Sequence, residues 1–398
     1  MYASPVQKGS VGRPGPVLGE LARLDLPLLA AALGLMAVSI YTLTMATQDD
    51  IPGSPLYYVL RQAIYGVAGL AIALAVSRLD ISRLREHSRA VYIGMLGSIL
   101  LVFAIGAAAR GSKRWIDLPF FKFQPSELGK VLLILALSAF VVDRVRRIGD
   151  RDTTSRIVLL AVIPAMLVVA QPDLGSGLVY LAIAAVTMFI AGAKWNHLAV
   201  LGGLAAAAVV VVLVAAPAVG VEVLKPYQVD RLTAFVNPTD DPQRQGYQLK
   251  QSITAIGSGQ KLGRGPEGAT QTRLDFLPEH HTDFVFAVIG EQLGFLGAAV
   301  VLSLYALLLW RALRILTSAK NLYGALVAGG ITAMLMFQVF VNVGMTIGIM
   351  PITGVPLPLV SYGGSSVLVT FLAIGLLLSI HAHARATELA KARELAAA

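Results

Sequence analysis

The sequence predicts an all-α protein of the polytopic membrane class, with about ten transmembrane helices and a large extracytoplasmic loop between spans 7 and 8. Three observations carry that reading. The chain of 398 residues is 56% hydrophobic and only 14% charged, where soluble proteins carry about 25% charged residues. Apolar runs of roughly 20 residues, the length that crosses a bilayer as a helix, recur from end to end. Basic residues cluster in alternate connections between those runs, as the positive-inside rule expects of cytoplasmic loops.

The predicted spans begin near Pro27, Tyr58, Ala90, Ser126, Ile157, Gly175, His197, Asp283, Leu322 and Ser365. Residues 1–26 read as a flexible cytoplasmic tail, 27–385 as one transmembrane domain, and 386–398 as a short, charged, helix-prone cytoplasmic tail. The first apolar run follows a polar tail containing proline and glycine and lacks a small-residue cleavage site, so it is expected to remain as a helix. Arg78, Arg83, Arg85 and Arg89 lie between spans 2 and 3, and Arg144, Arg146, Arg147, Arg151 and Arg156 between spans 4 and 5. Lys194 lies between spans 6 and 7, and Arg311, Arg314 and Lys320 between spans 8 and 9. An even count puts all of these, and both termini, in the cytoplasm. The net charge of +9 is then a topology signal rather than a nucleic-acid footprint. With no cysteine, disulfides and thiolate metal sites are excluded.

On the opposite side, "ARGSKRWIDLPFFKFQPSE" carries Arg110, Lys113, Arg114 and Lys122 against the charge rule. They suit an anionic ligand, or lipid phosphates reached by snorkelling. The 218–282 loop is longer than ordinary connections, a mark of function. Within it, "YQLKQSITAI" sets Leu249, Ile253 and Ile256 on one face of a short helix, expected to lie on the membrane surface. "IGSGQKLGRGPEG" lacks the P-loop spacing, which excludes a nucleotide site of that kind. "PITGVPLPLVSYGGSS" has three prolines and three glycines. It cannot be plain helix, and at membrane depth such backbone is tolerated only when buried in protein or lining a cavity.

Where the loop enters span 8, Glu279, His280, His281 and Asp283 stand at the lip of an almost wholly apolar run. Apolar neighbours there can raise a carboxylate towards the range of a general base, which makes Asp283 a candidate. Thr282 or Asp283 equally suits the N-cap of the coming helix. Adjacent histidines rarely chelate one ion, and no H-E-x-x-H is present, so no metal site is expected. Glu291 lies inside the apolar run and needs a partner within the bundle. Glu127 and Lys130, three residues apart at the start of span 4, share a helical face. They read as a functional pair, or as a structural ion pair beside a cap from Ser126. Arg61, inside span 2, raises the same choice. Asp173 in "QPDLGSG" is a site carboxylate or a cap before Leu174.

Together these motifs resemble the SEDS family (shape, elongation, division and sporulation), and more closely its elongation branch, the RodA proteins. The resemblance rests on "GSKRWIDLPFFKFQPSELGK", "QPDLGSG", "LPEHHTDFVFAVIGEQLG" and "MPITGVPLPLVSYGGSS", in the family's order across residues 27–385. "LKPYQVDRLTAFVNP" is similar to the RodA form of the large loop rather than that of the division paralogue FtsW. The resemblance implies a peptidoglycan glycosyltransferase for cell-wall elongation and rod shape, working on the outer face of the bacterial cytoplasmic membrane. It would polymerise lipid II by inverting transfer, with undecaprenyl pyrophosphate leaving. Asp283 matches the family's required aspartate and is the expected base. Arg61, Arg114, Lys122, Glu127, Lys130 and Asp173 are expected to bind substrate and pyrophosphate. Glu279, His281, Glu291, Ser361 and Tyr362 are expected to support them. An activated donor needs no cofactor; a divalent cation, Mg or Mn, could assist the leaving group, although the sequence offers no dedicated cage. The expected partners are lipid II, membrane lipids and a class B penicillin-binding protein, a transpeptidase docking on spans 8 and 9. Nucleic acid is not expected. A lipid II flippase or other transporter, and a non-catalytic scaffold for a penicillin-binding protein, are the alternatives.

Overall fold

A computed structural model describes residues 24–48, 50–109, 112–118, 121–211, 235, 245–274 and 276–397. Its principal helices are α1 (Leu26–Ala46), α2 (Tyr57–Val76), α3 (Ser88–Ile105), α4 (Pro125–Asp143), α5 (Arg151–Ala170), α6 (Leu174–Ile190), α7 (Trp195–Val210), α8 (Gln245–Gly259), α9 (Val285–Ser318), α10 (Leu322–Thr346) and α11 (Gly364–Ala397). All but α8 stand where the sequence predicts spans. Eight are long and apolar enough to cross a membrane, and α6 falls just short at 17 residues. The helices start on cap chemistry that the sequence carries. Asp25 accepts from Leu28 N ahead of α1, Asp173 from Ser176 N ahead of α6, and Asn321 from Gly324 N ahead of α10, each satisfying an orphan N–H of a first turn.

Burial separates core from rim. In α4, α10 and α11 the apolar stretches are 78%, 72% and 72% buried, against 17% in α3 and 28% in α2. Small residues permit the close crossings, as expected where no hydrophobic force acts between helices in lipid. A Cβ on Gly375 of α11 would lie 2.8 Å from Ala73 Cα of α2, and one on Gly330 of α10 2.8 Å from Ile134 of α4.

Three features differ from the sequence reading. The tail predicted over 1–26 ends earlier: Asp25 is buried, with Arg311 Nη2 of α9 at 2.5 Å and His381 Nδ1 of α11 at 3.8 Å. Asp25 thus ties the start of α1 to α9 and α11, and Arg311 serves this contact as well as adding charge; residues 1–23 lie outside the described residues. Second, part of the basic connection after α3 forms a small antiparallel sheet, β1 (Ala107–Ala109), β2 (Ser112–Asp117) and β3 (Lys122–Phe123), which delivers the chain to the start of α4. Arg110 lies outside the described residues.

Third, span 8 is two helices. Gly294 sits at φ 65, ψ −161, a region essentially reserved for glycine. Before it, Val285–Gln292 is buried in protein; after it, α9 exposes Phe295 and Leu296. The break is held by the loop: Phe295 N donates to Gln260 O at 2.8 Å, Leu296 N to Lys261 O at 3.2 Å, and Arg264 N to Glu291 O at 2.9 Å. Helix α8 packs on this buried half-helix, with Gly259 so close that a Cβ would lie 1.8 Å from Gly290 O. Its buried face is Leu249, Ser252 and Ala255, while Ile253 is 45% exposed. Ser252 Oγ also donates to Thr346 O of α10 at 2.8 Å. The loop helix is therefore part of the protein core, not an apolar face laid on a surface. Residues 224–234 and 236–238, the rest of the RodA-like loop stretch, lie outside the described residues.

Candidate active site

The starts of α2, α4, α6 and α11, the 276–284 segment and the 347–363 connection gather at one end of the bundle. The 351–357 backbone is non-helical with Ile352, Val355 and Leu357 buried, as its prolines and glycines predict. Side chains tie it down. Asn342 of α10 donates both to Asp283 O at 3.0 Å and to Val355 O at 2.8 Å. Ser361 Oγ donates to Thr282 O at 2.6 Å and accepts from Leu357 N. Tyr362 N donates to His281 O at 2.9 Å. Gln62 of α2 donates to Ser39 Oγ and to Ser361 O.

Asp283 is thus clamped through its own carbonyl and through Thr282 and His281. It is half-buried, and it is not a helix cap: α9 begins at Val285 with Phe284 at the cap position and no side-chain cap bond. Beside it lies an aromatic cluster. The His281 ring is 4.7 Å from that of Tyr58, and Tyr58 meets Tyr362 edge-on at 4.9 Å. The Arg61 guanidinium covers the Tyr57 ring at 4.3 Å and lies beside Tyr362. Burial pushes the Tyr362 phenol above the ordinary tyrosine range, so it stays a neutral donor. Glu279, at φ 56, closes the turn before Asp283: its carbonyl accepts from Thr282 N at 3.1 Å and its Oε2 from Thr282 Oγ1 at 3.1 Å.

A second cluster sits at the starts of α4 and α6. Lys130 Nζ is 2.6 Å from Glu127 Oε1, both side chains at most 5% exposed. Ser126 does not cap α4, whose cap position is Gln124. Instead Asp173 caps α6 through Oδ1 and accepts from Gln124 Nε2 at 3.0 Å and Ser126 Oγ at 3.4 Å through Oδ2. Arg114 donates to Gln171 O at 3.1 Å and to Pro172 O. Of the expected pyrophosphate ligands, Lys130 and Arg114 are therefore engaged inside the fold, whereas Lys122 is exposed and Arg61 half-buried. The clusters meet through backbone. Ser365 Oγ at the start of α11 accepts from Gln124 N and donates to Lys122 O, both at 2.9 Å. Gly175 of α6 fits against Thr353 and Val355 so closely that a Cβ would lie 2.5 Å from Val355.

Glu291 is not part of this site. Its carboxylate accepts from Gln271 N, Thr272 N and Thr272 Oγ1, the last at 2.6 Å. Its partner is the loop, not another span. Gln62, Asn342, Tyr58 and Gln124 escaped the sequence reading. Gln62 and Asn342 could have been found as uncharged polar groups inside apolar runs, since a buried amide needs partners.

The chain matches known proteins over about nine tenths of its length. The family model for cell cycle proteins of the FtsW, RodA and SpoVE type matches residues 23–386. MrdB of Escherichia coli, named a peptidoglycan glycosyltransferase, is 36% identical and covers 92% of this chain and 95% of its own. A protein of Thioalkalivibrio sulfidiphilus named a probable peptidoglycan glycosyltransferase FtsW is 39% identical over 90% of each chain. A chain solved for the structural coordination of polymerization and crosslinking by a peptidoglycan synthase complex superposes with a TM-score of 0.77 at 33% identity, covering 91% of this chain and 98% of that one. The rod shape determining protein RodA of Thermus thermophilus gives a TM-score of 0.65 at 29% identity, covering 90% and 96%. This chain belongs to the FtsW/RodA/SpoVE family, the SEDS family that its motifs resemble.

Proposed function

We propose that the chain polymerises lipid II into glycan strands as a peptidoglycan glycosyltransferase, with Asp283 as general base. The relatives' names supply the reaction, and one observation supports its seat: Asp283 is held half-buried by backbone bonds, beside the Arg61–Tyr362 pair, and does not cap the helix that follows. Converting an α-linked pyrophosphate donor into a β-linked product inverts the anomeric carbon. Asp283 takes the proton of the incoming sugar hydroxyl as that oxygen attacks. The bond to pyrophosphate breaks, and its electron pair leaves with undecaprenyl pyrophosphate. Of the expected cations, Arg61 and Lys122 would meet that charge, with Tyr362 as a neutral donor. A divalent ion bound to the pyrophosphate would add charge neutralisation.

The elongation role rests on the form of the 224–238 stretch, since relatives named for division and elongation match at similar identity. The site would face outward and both termini the cytoplasm, because the basic connections lie at the other end of the bundle. A class B penicillin-binding protein is the proposed partner, in keeping with the synthase-complex likeness. It would dock on spans 8 and 9, where Phe295, Val300, Trp310 and Phe340 are exposed.

Asp283→Asn preserves shape and removes the base. Purified protein with lipid II, its products resolved on a gel, should show a loss of at least about 100-fold, the scale of general-base catalysis, with an unchanged melting transition. Near wild-type polymerisation by the variant would sink the assignment and favour the scaffold reading.

A further inference from the structure

We propose that Asp50, His280 and His281 form a binding site for one divalent transition-metal ion, of the zinc class. Among the described residues this is the one group of three His, Asp or Glu side chains whose ligand atoms all lie within 4.8 Å of one another. Asp50 Oδ2 is 3.3 Å from His280 Nε2 and 3.9 Å from His281 Nδ1. Tetrahedral zinc with ligand bonds of about 2.0–2.1 Å requires ligand-to-ligand edges of about 3.3–3.4 Å. The first edge already fits; the second, and the His280–His281 edge, which lies within 4.8 Å, close by side-chain rotations that move the ligand atoms by up to about an ångström and a half.

Two obstacles visible in the sequence are removed by the fold. Adjacent histidines normally point apart, but the turn at Glu279 (φ 56) sets these rings 5.2 Å apart at 78°. The third ligand comes from the α1–α2 connection, more than two hundred residues away in sequence. Each imidazole is also oriented by a neighbour. His280 Nδ1 lies 3.3 Å from Leu277 O. A carbonyl can only accept, so Nδ1 carries the hydrogen. In the neutral ring Nε2 then presents its lone pair towards Asp50, the arrangement that outer-sphere carbonyls impose on metal-ligating histidines. The His281 ring packs against that of Tyr58, tilted by 36° at 4.7 Å. A lone pair facing a carboxylate at 3.3 Å is repulsive unless the ring takes up a proton or a metal ion lies between them. Two imidazoles and one carboxylate suit zinc, nickel or copper better than magnesium, and three ligands leave a fourth position for water or an anion. The ion would pin the α1–α2 connection to the segment that ends in Asp283, a positioning role distinct from neutralising the pyrophosphate.

The test uses purified full-length protein in detergent, stripped with a chelator, and reads binding rather than polymerisation, so it stands or falls separately from the proposed reaction. Co2+ serves as a spectroscopic probe and Zn2+ as competitor. Wild type should bind one Co2+ per chain, displaced by Zn2+, and Zn2+ should raise its melting temperature. Asp50→Asn and His280→Ala should each weaken binding by more than the roughly 10–100-fold caused by losing an outer partner. Asp50→Asn keeps the shape of a partly exposed side chain and covers the case in which His280→Ala unfolds. The proposal is overturned if wild type shows no saturable Co2+ binding, or if Asp50→Asn binds as wild type does. It is equally overturned if low pH raises the melting temperature while Zn2+ does not, which would make the cluster an imidazolium–carboxylate ion pair.

Discussion

Lys130 and Glu127 form a buried pair in which each side chain depends on the other. Their side chains are buried and 2.6 Å apart, so each charge is tolerable only because of the other. Removing one partner of such a pair costs about 3–5 kcal/mol, whereas replacing both with uncharged groups is often neutral. Glu127→Gln or Lys130→Ala alone should therefore lower the melting temperature and the yield of folded protein. The double variant Glu127→Gln, Lys130→Met should recover much of both. Lipid II polymerisation by the double variant then separates the roles: absent activity at normal stability means that the charges serve the site. Full activity would make the pair purely structural. Asp173 and Arg114 follow the same logic at lower stakes: Asp173 holds the α5–α6 turn against the start of α4, and Arg114 holds it against β2.

The break in α9 is the element on which the site depends. Val285–Leu293 can leave the line of the following helix only because Gly294 adopts a backbone that side chains avoid, and because loop residues 260–264 supply and receive the bonds exposed there. Gly294→Ala would place a Cβ 2.3 Å from Gly263 N in a conformation that itself costs about 1–3 kcal/mol. The expected result is undocking of the 258–273 segment, read as faster amide hydrogen exchange there, with polymerisation falling in parallel. Glu291→Gln should act on the same segment more mildly. It weakens three bonds to Gln271 and Thr272, and bonds to charged groups contribute about 1.5–3 kcal/mol each. Exchange in 270–273 should rise while the far end of the bundle stays protected; uniform exchange across the protein would contradict the role given to the break.

At the scale of the whole molecule, the two ends differ in chemistry. One gathers Asp50, Arg61, Asp283 and the 347–363 connection; the other carries Arg85 paired with Asp143, Arg311 paired with Asp25, and the arginines after α4. The absence of cysteine makes that asymmetry directly testable. Ser54→Cys and Arg147→Cys alter exposed positions at opposite ends. In intact cells a membrane-impermeant maleimide should label the first and not the second, and permeabilisation should equalise them. Labelling of Arg147→Cys alone would invert the topology. Exposed apolar side chains circle the bundle, on α2 and α3 (Leu60, Ile64, Val67, Ile93) as well as on α9 and α10. Exposure alone therefore does not choose the partner's face. Photo-crosslinkers on both pairs of helices choose it, with capture expected on α9 and α10.

The helices, their order and most of their starts were legible in the sequence, because a bilayer requires every span to satisfy its backbone internally and to be apolar for some 20 residues. The cap at Asp173, the Glu127–Lys130 pair and the buried proline-rich connection were legible for similarly local reasons. What lay beyond the sequence depends on residues far apart in the chain. Gly294 looks like any glycine in an apolar run until Gly263 arrives to need its space. Glu291 looks like an intramembrane charge until Thr272 folds over it. Arg114 looks like an anion ligand until the carbonyls of Gln171 and Pro172 take its donors, and Asp50 is an unremarkable loop acid until two histidines turn towards it. Periodicity and hydropathy describe how a segment meets its solvent. Which polar groups remain open to a ligand is settled only when distant segments have taken the partners that each buried donor, acceptor and charge requires.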